Sequence, residues 1–280
     1  MLYPKNIEQK LGFDRIRELL KEKCCGKVGQ SFVDKIRFTD KKNIIQKLTT
    51  QTAEFLKILQ NGESFPALHY IDLEEILQKA HIEGSFLLAE ECHELKRVLL
   101  TLKDCLAFIK EKGKNYPFLS ELSQPIEVES SLIKEIENII DERGQVKDSA
   151  SPELARIRRR IAEEQQYIRK KVDSLLQTFK TQGLIREEAL PTVRDGRLVI
   201  PVPVEHKRHI KGFVHDASAS GQTVFLEPES LLDINNEIKE LQLAERQEII
   251  RILQELTARL RPHVPNLLKA NTFLGMIDFI

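Results

Sequence analysis

The residues of this chain best suited to bind a ligand are cations gathered in one segment, residues 194–215. The segment holds five lysines and arginines against two acidic side chains. The five cations are Arg194, Arg197, Lys207, Arg208 and Lys211. Lysine and arginine bind phosphate oxygens through charge-assisted hydrogen bonds. The segment is therefore able to bind nucleic-acid backbone, but on composition alone the ordinary solvated surface of a hairpin is the favoured interpretation.

A loop of small and hydroxyl-bearing residues follows this segment. It includes Ser218, Ser220 and Gly221. A loop of this type can offer backbone amides to an anion, and far more often it is a turn between two strands. Composition does not separate the two interpretations.

The residue types that bind metals are not spaced as a metal site requires. The histidines of the basic segment are His206, His209 and His215. They have no cysteine near them, so we expect them to face solvent or to cap backbone groups. The four cysteines are Cys24, Cys25, Cys92 and Cys105. They lack paired C-x2-C spacing, and we expect reduced, buried thiols.

Catalysis within these residues has no support in the sequence. The P-loop, G-x-S-x-G, H-E-x-x-H and EF-hand motifs are all missing. Net charge is zero, with 43 basic and 43 acidic residues, which excludes a surface that is basic throughout. There is no apolar signal core at the N-terminus and no apolar run that could span a membrane. We expect a cytoplasmic chain with no membrane partner, no bound cofactor and no catalytic residue.

Two long helices are predicted on either side of the basic segment. Residues 151–182 carry apolar side chains at steps of three, four and seven, and they begin at Ser151-Pro152, a favourable N-cap and first position. Residues 230–261 carry a second narrow apolar seam over the same length. Matched lengths predict an antiparallel pair with a β-rich module, 183–229, at its tip. Within that module, Asp195-Gly196 predicts a hairpin turn.

The rest of the chain predicts a helical core, so the expected fold class is mainly α. Apolar periodicity predicts helices at 5–23, 41–60, 72–80, 87–112, 118–123 and 129–141. The polar residues 141–149 are expected to form a small turn or hairpin. The three arginines 158–160 are expected to pair with neighbouring acids, because consecutive helical residues cannot face one ligand. The apolar C-terminal run is expected of a fragment of a longer protein.

Three ordered segments carry a resemblance to a known family. They are VRDGRLVIPV at 193–202, GFVHDASASGQTVFLEP at 212–228 and NNE at 235–237. Together they resemble the second bacterial branch of the MutS family, the MutS-two subfamily, and the resemblance covers essentially the whole chain. The sequence F-x-E at Phe225–Glu227 also matches the wedge of mismatch-reading MutS proteins. Because it lies in a predicted clamp strand, we treat that match as coincidence.

The resemblance implies an architecture that agrees with the helix pattern. A helical core would comprise 1–150 with 262–280, the lever helices 151–182 and 230–261, and the clamp 183–229. Full-length members continue into an ABC-type ATPase, which uses ATP and magnesium, and usually into a C-terminal Smr endonuclease domain. Neither domain is present in these residues.

The resemblance also implies a function. The full-length protein would be a homodimer that embraces branched or duplex DNA and limits recombination. The clamp would contact the backbone without reading sequence, a role that falls on the five cations of 194–215. Members are also linked to rescue of collided ribosomes, so a ribosome is the alternative partner. A third possibility is a purely structural arm that transmits ATP-driven motion and binds nothing itself.

Overall fold

The computed structural model of this chain describes residues 7–67, 70–124 and 126–280. The chain forms two compact units, Met1–Lys147 with Ile252–Ile280, and Asp148–Arg251. The helices are α1 (Ile7–Lys10), α2 (Phe13–Lys23), α3 (Lys27–Lys35), α4 (Lys42–Gln60), α5 (Glu74–His81), α6 (Ala89–Lys112), α7 (Pro117–Ser123), α8 (Ser130–Ile139), α9 (Pro152–Thr181), α10 (Glu229–Leu260) and α11 (Val264–Phe279). The mainly α fold expected from the sequence is confirmed.

The first unit is built around α6 and α11. Side chains of α6 at steps of three and four, Leu95, Leu99 and Leu102, are about 1% exposed each, which is the pattern of a helix with one core-facing stripe. Helix α11 is apolar on most sides. Its Asn271 is also buried, and its side chain accepts a hydrogen bond from Leu73 N at 3.2 Å, so the polar group is satisfied inside the core.

Three features of the first unit differ from the sequence predictions. The helix predicted at 5–23 is broken at Gly12, whose φ is 69°, and residues 5 and 6 lie outside the described residues. Helix α3 was not anticipated, since Gly29 in its middle weakens the helical pattern; a side chain there would overlap the carboxylate of Asp278. Helix α11 was not anticipated either, since a helix buried on most sides shows little periodicity.

The polar stretch after α8 forms the small turn expected from its composition. An isolated antiparallel bridge joins Ile140 and Val146. The Asp141 side chain accepts hydrogen bonds from Arg143 N at 2.9 Å and Gln145 N at 2.8 Å. These backbone donors lower the pKa of Asp141, because they stabilise the carboxylate form.

The four cysteines are free thiols. Cys92 and Cys105 are buried, as expected, and burial raises the pKa of each to about 12. The expectation of burial is wrong for Cys25, which is exposed, and Cys24 is half-buried. Both residues lie in the turn between α2 and α3, which explains their exposure. Within the described ranges, no group of three or more potential ligands could hold a metal ion. Among those same residues, no helix is long and apolar enough to cross a membrane.

Helices α9 and α10 agree with the two predicted long helices to within one residue at each end. Their polar contacts show that they run antiparallel, since rising numbers on α9 meet falling numbers on α10. The contacts join Ser151 to Glu248, Arg158 to Glu245 and Arg160 to Glu237. The ion pairing expected for the arginine triple is therefore present at Arg158 and Arg160.

The N-terminus of α9 is closed by a side-chain cap. Ser151 Oγ accepts a hydrogen bond from Leu154 N at 2.9 Å and donates one to Glu248 Oε1 at 2.6 Å. Arg251 also donates to the Glu248 carboxylate, at 2.7 and 2.8 Å. The hydrogen bonds from Arg251 and Ser151 lower the pKa of Glu248 to about 2.

The residues between α9 and α10 form a four-stranded antiparallel sheet in the order β1-β2-β4-β3. The strands are β1 (Thr192–Arg194), β2 (Arg197–Pro203), β3 (Gly212–Ala217) and β4 (Thr223–Pro228). The predicted hairpin at Asp195-Gly196 is confirmed. Arg194 pairs with Arg197, and positive φ values of 49° and 75° at the two turn residues give the turn a twist that suits paired strands.

One face of this sheet packs on the apolar seams of both helices. Ile168 and Val172 of α9, Leu231 and Ile234 of α10, and β-strand residues such as Ile200 share one buried cluster. At one end of the helix pair, the apolar side chains of α9 and α10 therefore pack against each other and against the sheet. Strand β4 passes directly into α10 at Pro228–Glu229 without an intervening loop.

Candidate nucleic-acid interface

The loop that joins β2 to β3 carries three of the predicted cations. It spans residues 204–211 and begins with one turn of 3-10 helix, Val204–His206. Lys207, Arg208 and Lys211 are all exposed. No ion pair or side-chain hydrogen bond joins them to any residue that the structure describes. Their charges are therefore available to an external anion.

The position of this basic loop is fixed by its own residues. Ile210 is 6% exposed and belongs to the buried cluster beneath the sheet. Lys211 O accepts a hydrogen bond from Glu229 N at 3.0 Å. The cations are thus carried on a loop that is tied to the sheet and to the start of α10, which limits the conformational entropy that binding would cost.

Gly212 permits this arrangement at the start of β3. A Cβ at Gly212 would overlap the carbonyl oxygen of Glu227 and would lie 2.8 Å from Cδ2 of Leu226. The β3 backbone therefore approaches β4 closely at the point where the basic loop ends.

Arg194 is engaged within the sheet. Its Nε donates to Asp216 Oδ2 at 3.0 Å, and its guanidinium lies 4.1 Å from the centroid of the Phe225 ring. These contacts combine an ion pair with a cation–π interaction. The charge of Arg194 is partly balanced before any ligand arrives.

Arg197 is more strongly engaged, with the carboxylate of Glu227. The Arg197 Nη1 atom lies 2.8 Å from Glu227 Oε1, and the Glu227 side chain is 1% exposed. His215 Nε2 lies 2.5 Å from Glu227 Oε2, and Asn235 Nδ2 donates to Oε1 at 2.7 Å. We call Arg197, His215, Glu227 and Asn235 the Glu227 cluster. A buried carboxylate is tolerated only when charge and hydrogen bonds compensate its desolvation, and this cluster supplies both.

The Glu227 cluster also ties the sheet to α10. Asn235 lies on α10, and its Oδ1 accepts from Leu198 N at 3.1 Å while its Nδ2 donates to Leu198 O at 3.2 Å. Arg197 also donates to the Asn236 side chain. The NNE segment singled out in the sequence therefore has a structural role in fixing strand β2 on the helix.

No local pattern in the sequence predicts this cluster as a unit. Glu227 lies in an apolar strand, which is a signal for a buried partner, but its partners are 30, 12 and 8 residues away. The expectation that His215 faces solvent or caps backbone is wrong, because it binds Glu227. His209 is exposed, and His206 is half-buried with its Nε2 3.8 Å from Glu205.

The hydroxyl-rich loop forms the turn between β3 and β4. Ser218 N donates to Thr223 O and Gly221 N donates to Ser218 O, each at 2.8 Å. Ser218 Oγ accepts from Thr223 N at 3.1 Å and lies 3.4 Å from Ser220 Oγ. These amides are used inside the loop, which favours the interpretation as a turn over that as an anion site.

The F-x-E segment is not arranged as an exposed wedge. Phe225 is half-buried beneath Arg194, and Glu227 is 0% exposed. An inserted wedge needs a ring that is free to enter a base stack, and this ring is covered. The geometry agrees with treating the match as coincidence.

Comparison with family models gave no match, whereas comparison with curated proteins gave many. Endonuclease MutS2 of Listeria welshimeri is 35% identical over 280 residues, which cover 99% of this chain and 35% of that protein. Endonuclease MutS2 of Pelotomaculum thermopropionicum is 32% identical over 276 residues, with 99% and 35% covered. Endonuclease MutS2 of Enterococcus faecalis is 34% identical over 275 residues, with 96% and 34% covered. This chain belongs to the MutS2 branch of the MutS family.

Membership of the MutS2 branch confirms the resemblance found in the sequence. The chain spans 35% of the length of the first MutS2 relative. The word endonuclease in the relatives' name describes those proteins.

Proposed function

We propose that this part of a MutS2 protein binds duplex or branched DNA, through contacts of Lys207, Arg208 and Lys211 with backbone phosphates. The observation that carries the proposal is a loop with three exposed cations that have no partner among the described residues and one acidic side chain, Glu205. Such contacts neutralise phosphates and carry no sequence information. The proposal concerns binding, and it assigns no catalytic step to these residues.

The five predicted cations divide into two roles under this proposal. Arg197 is held by a carboxylate that is 1% exposed, so we assign it to the stability of the sheet. Arg194 is shared between Asp216 and Phe225, and we assign it mainly the same role. The three loop cations are left as the phosphate-binding set.

The test is fluorescence anisotropy of the 280-residue chain with a labelled four-way DNA junction at several salt concentrations. With three phosphate contacts, log K should fall against log salt with a slope of about −2.7. The variant with Lys207→Glu, Arg208→Glu and Lys211→Glu should lose binding at unchanged melting temperature.

A control variant separates local contacts from total charge. Lys170→Glu, Lys239→Glu and Arg246→Glu reverse three exposed cations of α9 and α10, which changes the net charge equally. Comparable loss of binding in both triple variants would contradict the proposal, because it would show a general charge effect. The alternative partner is a ribosome. It would be favoured if the full-length protein co-sedimented with ribosomes through the same loop and the 280-residue chain did not bind DNA.

A further inference from the structure

Strand β3 exposes an aromatic ring beside the basic loop. Phe213 is 61% exposed and the adjacent Val214 is 50% exposed. The other phenylalanines of this unit, Phe179 and Phe225, are half-buried. Strand β3 is an edge of the sheet, where an exposed apolar side chain invites non-specific association. A ligand that covers the ring would prevent such association and would give the exposed ring a function.

The ring and one of the loop cations share a face of the strand. The hydrogen bond from Glu229 N to Lys211 O extends the register Gly212–Pro228 by one residue. Lys211 is therefore paired with Glu229 immediately before the first residue of β3, and residues two apart along paired strands lie on the same face, about 7 Å apart. Phe213 thus lies next to a cation that has no side-chain partner among the described residues.

We propose that Phe213 stacks on an unpaired DNA base while Lys207, Arg208 and Lys211 hold the adjacent phosphates. Aromatic rings beside cations form the usual platform for single-stranded nucleic acid, and stacking tolerates every base because each has a π-face. Bases within a duplex are already stacked on both sides. The ring therefore adds a preference for DNA that has unpaired nucleotides next to its duplex part, such as a gap.

Charge favours a nucleic acid over an apolar protein surface as the occupant. The loop has one acid and three cations that have no side-chain partner in the described part of the chain, and the acid of β3, Asp216, is already paired with Arg194. An apolar partner would leave these cations desolvated and uncompensated. This inference rests on the proposed function and adds the structure of the DNA to it.

The absence of tryptophan from the sequence allows a direct test. Phe213→Trp keeps an aromatic ring and makes emission report on that position alone. Val193→Trp is the matched control, because Val193 lies on the opposite edge strand β1 and is 58% exposed. Each variant is titrated with a single-stranded thymidine oligonucleotide, with the same oligonucleotide as RNA and with plain duplex. Anisotropy of Phe213→Ala on gapped DNA and on duplex gives an independent readout.

The single-stranded DNA should quench the emission of Phe213→Trp and leave that of Val193→Trp unchanged. Phe213→Ala should weaken binding to gapped DNA by about fivefold or more, with duplex affinity unchanged. Salt-dependent duplex binding without quenching, and with no loss on gapped DNA, would overturn this inference and leave the proposed function standing. Binding of neither DNA by the wild-type chain would overturn both. Stronger quenching by the RNA would overturn the assignment to DNA.

Discussion

Arg197 on β2 and Glu227 on β4 form an ion pair that is almost entirely removed from water. The pair is 2.8 Å long, and the exposed fractions of the two side chains are 17% and 1%. Because β2 and β4 are neighbours at the centre of the sheet, the pair fixes their register as well as their separation. It also explains why an arginine from the basic segment is held within the sheet and is only 17% exposed.

Glu227→Gln should destabilise the second unit by about 3 kcal/mol, because removal of one partner leaves the half-buried Arg197 uncompensated. Urea denaturation followed by far-ultraviolet circular dichroism would measure the change. Glu205→Gln is the control, since that side chain is 75% exposed, and its midpoint should match wild type. Equal midpoints for all three proteins would contradict a structural role for Glu227.

Arg197→Ala should change stability and not the salt dependence of DNA binding, whereas Lys207→Ala should change DNA binding and not stability. The first should lower the melting temperature and leave the salt dependence of the remaining DNA binding unchanged. The second should leave the melting temperature unchanged and make the salt slope shallower by about 0.9, the value of one phosphate contact. Thermal melting and anisotropy on the same two samples would check this. A shallower salt slope for Arg197→Ala would show that Arg197 contacts a phosphate and would contradict its assignment to stability alone.

Gly212→Ala should destabilise the sheet by about 1–3 kcal/mol, since a methyl group there would overlap the Glu227 carbonyl and force the strands apart. Chemical denaturation is the measurement. Ser220→Ala, in the exposed turn between β3 and β4, should behave as wild type. A Gly212→Ala protein of unchanged stability would show that β3 can move away from β4 at no cost.

Folding should be acid-sensitive through Glu248. Its pKa falls from its ordinary value of 4.5 to about 2 in the folded chain. The resulting stabilisation is complete above the unfolded pKa and is lost as the pH falls from about 4.5 towards 2. Glu248→Gln should remove that part of the pH dependence, measured by denaturation at pH values on both sides of the window.

Ser151→Ala should weaken the same contact from the other side. Loss of the N-cap should cost about 1 kcal/mol at neutral pH, and loss of the hydrogen bond to Glu248 should raise the pKa of that carboxyl. The acid transition of the variant should therefore be smaller than that of wild type. An acid transition identical to wild type would mean that Arg251 alone sets the Glu248 pKa.

The sequence predicts elements whose signals are local. Ser151-Pro152 marks the start of α9, and Asp195-Gly196 marks a turn, because capping and positive φ depend on one or two residues. Helix α3 has no such signal. The two residues that precede its first turn are held from α11, where Asp278 accepts from Cys25 N at 2.8 Å and Gly26 N at 3.1 Å. A contact supplied from more than 250 residues away has no local pattern.

The candidate interface, too, is predicted from the sequence only where its signals are local. Charge composition identifies all five cations of 194–215, but it does not say which are free. That depends on Glu227 and Asp216, which reach Arg197 and Arg194 only through strand pairing. Exposure of Phe213 likewise follows from the position of β3 at the sheet edge, since its neighbours in sequence would suit a buried strand equally well.

The direct passage of β4 into α10 sets a limit on insertions and deletions. Each residue of an α-helix turns the chain by about 100°. One residue added between Pro228 and Glu229 would rotate Asn235 away from both Leu198 and Glu227. The segment 182–191, which lies between α9 and β1, is not helical, so an added residue there would not rotate the side chains that follow it in this way. Changes in chain length between relatives should therefore accumulate on the α9 side of the sheet and be excluded from the α10 side.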